Sequence, residues 1–141
     1  MAFTGNYTCN VFKTGLLNAN FDFTFGSFYI ALYTNAATLD ASTTAYTPIG
    51  EASGGSYSPT GLLLSVIQTP TMGSSNSTVA YISFADAVWT GAITARGALI
   101  YKPGANGAVC VLDFGADKTS VNTFTVQFPP VSNTSAIIRL G

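Results

Sequence analysis

Short apolar runs, separated by clusters of Gly, Pro, Asn and Ser, recur along most of the chain. In residues 123–128, Phe and Val alternate with Thr and Gln, a period of two that is typical of a strand with one solvent-facing side. Runs of this kind predict strands near residues 27–34, 60–68, 77–85, 95–102, 107–115, 120–128 and 135–140. Strands this short and this closely spaced predict an all-β fold, an antiparallel β-sandwich of about eight strands, with a jelly-roll-like layout favoured.

Local patterns refine this prediction. The segments LIY (residues 99–101) and AVCVL (residues 108–112) are apolar on both faces, which predicts central or covered strands. The segment KPGANG between them predicts a hairpin, because Pro-Gly and Asn-Gly favour tight turns. A second turn is predicted at residues 115–118, and residues 5–17 predict the only helix.

The organisation that follows is one domain over residues 1–141, the size of an ordinary domain. Residues 1–26 form an N-terminal segment with the short helix, and residues 27–141 form the sandwich. Within the sandwich, residues 35–60 are a long loop rich in Ala, Thr, Ser, Gly and Pro. We refer to residues 35–60 as the long loop.

Few charges are available to cover the outside of this domain. Charged residues make up 8% of the chain and hydrophobic residues 48%, and the formal net charge is −1. A charge-poor surface near neutrality favours association with other proteins. Five scattered basic residues do not favour binding to nucleic acid or to anionic membranes, and no apolar stretch approaches the roughly 20 residues of a spanning helix.

Reactive chemistry is scarce. The chain has no histidine, the commonest general base and a common metal ligand, and its two cysteines, Cys9 and Cys110, lie far apart in sequence. They form no zinc pattern and are expected to be buried free thiols, although a disulfide is an alternative. Catalysis by a pair of carboxylates is the remaining enzymatic hypothesis. We expect no catalytic residue, no metal and no cofactor. The six carboxylates are Asp22, Asp40, Glu51, Asp86, Asp113 and Asp117.

The long loop is the best candidate for an interaction surface. As a hypothesis, it is an arm that packs on neighbouring molecules, with Tyr46 and Tyr57 as anchors. Asp40 and Glu51 would orient turns or pair with a neighbour's basic residue. Trp89, the only Trp, follows Asp86 closely and is either a core or interface aromatic, which is favoured, or part of a sugar-binding platform.

Several long strings in the chain resemble a family of small virion structural proteins of tailed phages and prophages. They are ALYTNAATLDASTTAY, then TARGALIY and VLDFGADK, and the likeness extends over roughly residues 28–120. The family resembles capsid cement (decoration) proteins, such as the jelly-roll cement protein of a Bordetella phage, which sits on the capsid as dimers.

This resemblance implies a non-enzymatic protein of the virion, assembled in the host cytoplasm and placed on the capsid exterior. Its partners would be the major capsid protein and a second copy of itself. It supplies no catalytic residues. The alternative is a receptor- or glycan-binding module of a phage tail or head, built on a similar sandwich.

Overall fold

The computed structural model describes residues 3–73, 77–132 and 134–140. Over these residues it contains ten strands and one helix. In chain order they are β1 (Tyr7–Thr8), α1 (Asn10–Leu17), β2 (Tyr29–Tyr33), β3 (Leu62–Leu63), β4 (Val66–Met72), β5 (Ala80–Phe84), β6 (Ala87–Thr90), β7 (Thr94–Tyr101), β8 (Ala108–Thr119), β9 (Thr123–Val126) and β10 (Ile138–Leu140).

The strands form three antiparallel sheets. The largest has the order β1-β8-β7-β2-β3, the second has the order β10-β5-β4, and β6 and β9 form the third. Aromatic contacts connect the smaller sheets to the largest one. The ring centroids of Phe28, next to β2, and Phe84 of β5 are 6.3 Å apart, and those of Phe114 of β8 and Phe124 of β9 are 6.2 Å apart. The fold is therefore all-β and sandwich-like, with one short helix, as the sequence predicts.

The centre of the largest sheet is the most deeply buried part of the chain. Ile30, Leu99 and Val111, in neighbouring strands β2, β7 and β8, have no exposed surface. This confirms the prediction that the strands apolar on both faces are central. The KPGANG hairpin is also confirmed, because the Lys102 amide donates to the Gly107 carbonyl across the turn at 2.7 Å.

Three local predictions are corrected. The helix begins at Asn10, because Tyr7 and Thr8 instead pair with Val111 and Cys110 of β8. No turn interrupts residues 115–118, since β8 continues to Thr119 through an irregular register. Strand β6 was not predicted, and the strand predicted over residues 60–68 is divided into β3 and β4, with β4 reaching Met72.

Candidate functional site

The long loop packs on its own domain and does not project as an arm. The Ala52 amide donates to the Leu32 carbonyl at 2.8 Å, which attaches the loop to β2. The Asn10 amide at the start of α1 donates to the Ala41 carbonyl at 2.8 Å. The loop is therefore not a projecting arm in the isolated chain, and its packing on neighbouring molecules stays a prediction.

Glu51 is the centre of the loop's polar interactions. Its carboxylate accepts hydrogen bonds from the Tyr46 hydroxyl at 2.7 Å, the Tyr57 hydroxyl at 2.6 Å and the Thr60 amide at 2.9 Å. The Tyr57 hydroxyl in turn accepts a hydrogen bond from the buried Leu32 amide at 2.9 Å. One carboxylate thus connects both predicted anchor tyrosines to the end of the loop and to β2.

The pKa values of both tyrosine hydroxyls are raised. Burial, and then the hydrogen bond to Glu51, raise the pKa of Tyr57 far above its ordinary value. The pKa of Tyr46 is raised in the same direction by the same two causes. Because a phenol that donates to a carboxylate resists ionisation, these tyrosines act as fixed donors.

A row of stacked tyrosine rings lies beside this cluster. The rings of Tyr46 and Tyr101 are 5.3 Å apart at an interplanar angle of 26°, and those of Tyr29 and Tyr101 are 5.9 Å apart at 25°. The three rings line an open pocket of about 430 Å³, together with Thr60 and the hairpin residues 103–105. An aromatic surface with few polar groups is a common form of small-ligand pocket.

The remaining predicted interface residues are also engaged within the chain. Trp89 is 3% exposed, and its ring lies 5.7 Å from Tyr57 and 6.3 Å from Phe124. It is a core residue, so it offers no exposed sugar-binding platform. Asp40 accepts hydrogen bonds from the Ser42 amide at 2.8 Å and hydroxyl at 2.6 Å, which lower its pKa. It orients a turn, as predicted.

The structure thus brings Tyr46, Glu51 and Tyr57 into one cluster that continues to Trp89, and it leaves Asp40 apart. The four other carboxylates have local partners. Asp22 accepts from the amides of Thr24 and Phe25, Asp86 from the Phe128 amide, Asp113 from Arg96 and the Gly115 amide, and Asp117 from the Asn35 side chain.

Cys9 and Cys110 are free and buried, as expected from the sequence. Burial raises the pKa of Cys9 to about 11 and that of Cys110 to about 12. Within the described ranges, no group of three or more His, Cys, Asp or Glu side chains is placed to hold a metal ion. No helix in this part of the chain is long and apolar enough to cross a membrane.

Two surface features were not predicted from the sequence. Large hydrophobic side chains such as Leu17, Phe25 and Val121 are exposed to solvent. A groove of about 410 Å³ also lies between the second half of β8 and β9, lined by Phe114, residues 118–120 and residues 123–127. The alternation in residues 123–128 predicts that one face of the strand is exposed to solvent. It does not predict which strand edge is unpaired, because that depends on the pairing of segments distant in sequence.

No protein-family model matches the chain, and neither a curated protein nor a solved structure shows significant similarity to it. What the fold defines is the class: a sandwich-like all-β protein with a charge-poor surface.

Proposed function

We propose that this protein is a non-enzymatic phage virion structural protein that binds the outer surface of the capsid and stabilises the head by bridging major capsid protein subunits. The observation that carries the proposal is exposed apolar surface on a chain with only eleven charged residues, five basic and six acidic. Among the described residues, ten large hydrophobic side chains are 43–90% exposed: Leu17, Phe25, Ile49, Leu63, Ile67, Met72, Val88, Val121, Val131 and Leu140.

Part of this exposed surface is continuous across one sheet. Met72 of β4 and Leu140 of β10 both pair with Ala80 of β5, so the three side chains lie in one row. Apolar surface with few neighbouring charges is typical of the centre of protein–protein interfaces. The family resemblance suggests the partner, because the virion proteins that the sequence resembles are in turn similar to cement proteins, which bind the outside of a capsid.

The stabilising mechanism is mass action. A protein that binds only the assembled shell lowers the free energy of that shell by its binding free energy, summed over many copies. A symmetric pair of copies would bridge neighbouring capsomers at a two-fold axis. The protein would then be found on the capsid exterior after assembly in the host cytoplasm.

Co-sedimentation with emptied phage heads, stripped of minor proteins, tests the proposal. We expect saturable binding at a fixed ratio to the major capsid protein, and heads that withstand higher temperature when bound. The variants Leu17→Ser and Phe25→Ser remove two of the most exposed apolar side chains and should leave the fold intact. Weaker binding by either variant would locate the docking face.

The alternative is a receptor- or glycan-binding module, and the tyrosine pocket favours it. Tyr29 and Tyr46 are partly exposed and present the aromatic surface that Trp89 does not, while the stacked ring of Tyr101 is buried beside them. Absence of the protein from heads, together with its presence on tails and binding on a glycan array, would establish this alternative and overturn the capsid proposal.

A further inference from the structure

Most free strand edges in the described part of the chain carry a feature that discourages further pairing. Strand β4 contains Pro70 and two register irregularities, and β10 is three residues long and includes Arg139. Strands β1 and β3 have two residues each. Short, charged, bulged or Pro-containing edges are the usual protection against edge-to-edge pairing.

Strand β6 is protected in another way, by the long loop. The Ser56 amide donates to the Thr90 carbonyl at 2.7 Å, and the Thr90 amide donates to the Ser56 hydroxyl at 2.9 Å. Both backbone groups of Thr90 therefore point away from β9 and are satisfied by the loop.

Strand β9 is also short, with four residues, but it has no Pro, charge, register irregularity or covering loop among the described residues. Its pairing with β6 is regular from Thr123 to Val126, and residues 119–128 contain no charge and no Pro before Pro129. The backbone groups on one side of β9 are used by β6. The groups on the other side face away from β6, the only strand paired with β9 among the described residues.

The register identifies the unused groups. The Gly91 amide donates to the Asn122 carbonyl at 2.7 Å, so hydrogen-bonded pairs alternate from there along the ladder. Phe124 and Val126 consequently bond to β6, while the N–H and C=O groups of Thr123 and Thr125 point outward. The outward groups of Thr90, which is opposite Thr123, confirm this alternation independently.

The groove between β8 and β9 runs along residues 123–127. Phe114 and Phe124 line it together, with their ring centroids at a contact distance of 6.2 Å, and Lys118 also lines it. An extended strand fits such a groove, because its backbone can complete the ladder while alternate side chains contact the aromatic rings. Strand β9 presents outward backbone groups at Thr123 and Thr125, a ladder of a length that a single extended segment can complete.

We propose that the outer edge of β9 binds one extended strand of a partner polypeptide by β-augmentation. The choice of partner rests on the proposed function: the strand is a segment of the major capsid protein. The outward backbone groups of Thr123 and Thr125 supply the hydrogen bonds, and the groove supplies the apolar contacts.

The variant pair Thr125→Pro and Thr125→Ala tests this inference. Proline removes an outward N–H that none of the ten described strands uses, whereas alanine keeps it. With emptied heads, we expect Thr125→Pro to bind at least about tenfold more weakly, the equivalent of about 1.4 kcal/mol, and Thr125→Ala to bind like the unmodified protein. Hydrogen exchange of the unmodified protein provides a readout that does not depend on the folding of the proline variant: head binding should slow exchange in peptides covering residues 119–128.

The outcomes separate this inference from the proposed function. If the unmodified protein binds heads, but Thr125→Pro binds equally well and exchange over residues 119–128 is unchanged, the edge inference is overturned and the capsid function stands. If the unmodified protein does not bind heads, the capsid function fails and the partner assignment fails with it. If light scattering shows a dimer that Thr125→Pro dissociates, the edge pairs with a second copy, which overturns the capsid segment as its occupant.

Discussion

The hydroxyl groups of Tyr46 and Tyr57 both donate to Glu51, but they differ in what else depends on them. The Tyr57 hydroxyl is also the acceptor for the buried Leu32 amide, while the half-buried Tyr46 hydroxyl donates to Glu51 and has no such role. A buried amide that loses its acceptor costs more than a half-buried hydrogen bond whose partners can bind water instead. Replacing either tyrosine by Phe therefore removes the same group, a hydroxyl, from two different environments.

We expect Tyr57→Phe to lower the free energy of unfolding by about 2–3 kcal/mol, because it leaves the buried Leu32 amide without an acceptor and removes one of the two donors to a Glu51 oxygen. Tyr46→Phe should cost about 1 kcal/mol or less, since water can reach its site. Urea unfolding of the two variants and the unmodified chain measures both values. Equal losses would show that the Leu32 hydrogen bond does not stabilise the attachment of the loop to β2.

Elements with a strong local pattern were predictable, and elements defined by distant pairing were not. The alternation in residues 123–128 and the apolar run in residues 99–101 depend only on local sequence, and both strands are present. Strand β6 has four residues, too few for a clear period, and β1 exists only because β8 lies beside it. From the local sequence alone, Gly115 predicts a turn. In the structure, its positive φ instead lies in a stretch of β8 whose pairing with β7 is irregular.

The candidate site shows the same division. Tyr46, Glu51 and Tyr57 were identified as candidates from their residue types within a long loop. Their role was not predictable, because the partners that satisfy the loop, Leu32 among them, lie in another element. A loop of small polar residues has the same composition whether it projects or packs.

Gly61, where the long loop returns toward β2, and Gly115 in β8 provide a test of that packing. Their φ angles are nearly equal, +85° and +83°, but a Cβ at Gly61 would overlap the carbonyl oxygen of Ile30, whereas one at Gly115 meets nothing within 4 Å. Gly115→Ala should cost only the backbone strain, about 1–2 kcal/mol. Gly61→Ala should cost about 1–3 kcal/mol more, because the loop must move off β2. Thermal or urea unfolding that gives equal losses would contradict close packing at Gly61.

At the scale of the whole molecule, no side chain is expected to make the free energy of unfolding depend on pH near neutrality. The chain lacks histidine, and no other side chain has an ordinary pKa between about 5 and 8. The pKa values of Asp40 and Asp113 are lowered, the first chiefly by Ser42, the second chiefly by the Gly115 amide and also by Arg96. The pKa values of Cys9 and Tyr101 are raised by burial to about 11 and about 12.

The direction in which each group changes the free energy of unfolding with pH follows from the difference between its folded and unfolded pKa values. A carboxyl with a lowered pKa stabilises the fold above its unfolded pKa, near 4, and this stabilisation is lost as pH falls through the folded value. A buried thiol or phenol with a raised pKa stabilises the fold below its unfolded pKa, and this is lost as pH rises from about 9 toward about 12. The free energy of unfolding should therefore be level from about pH 5 to 8 and fall on both sides, as urea midpoints at a series of pH values would show.

Two variants test which groups cause the fall in the free energy of unfolding at acid pH, the acid limb, and at alkaline pH, the alkaline limb. Asp113→Asn removes a carboxyl whose pKa is lowered, so the acid limb should become shallower while the alkaline limb keeps its slope. Cys9→Ala removes a thiol whose pKa is raised and should make only the alkaline limb shallower. Because the readout is the slope against pH, a uniform loss of stability from the cavity at Cys9 does not affect the conclusion. A slope between pH 6 and 7 in the unmodified protein would contradict this account, since no side chain of the chain titrates there in its ordinary state.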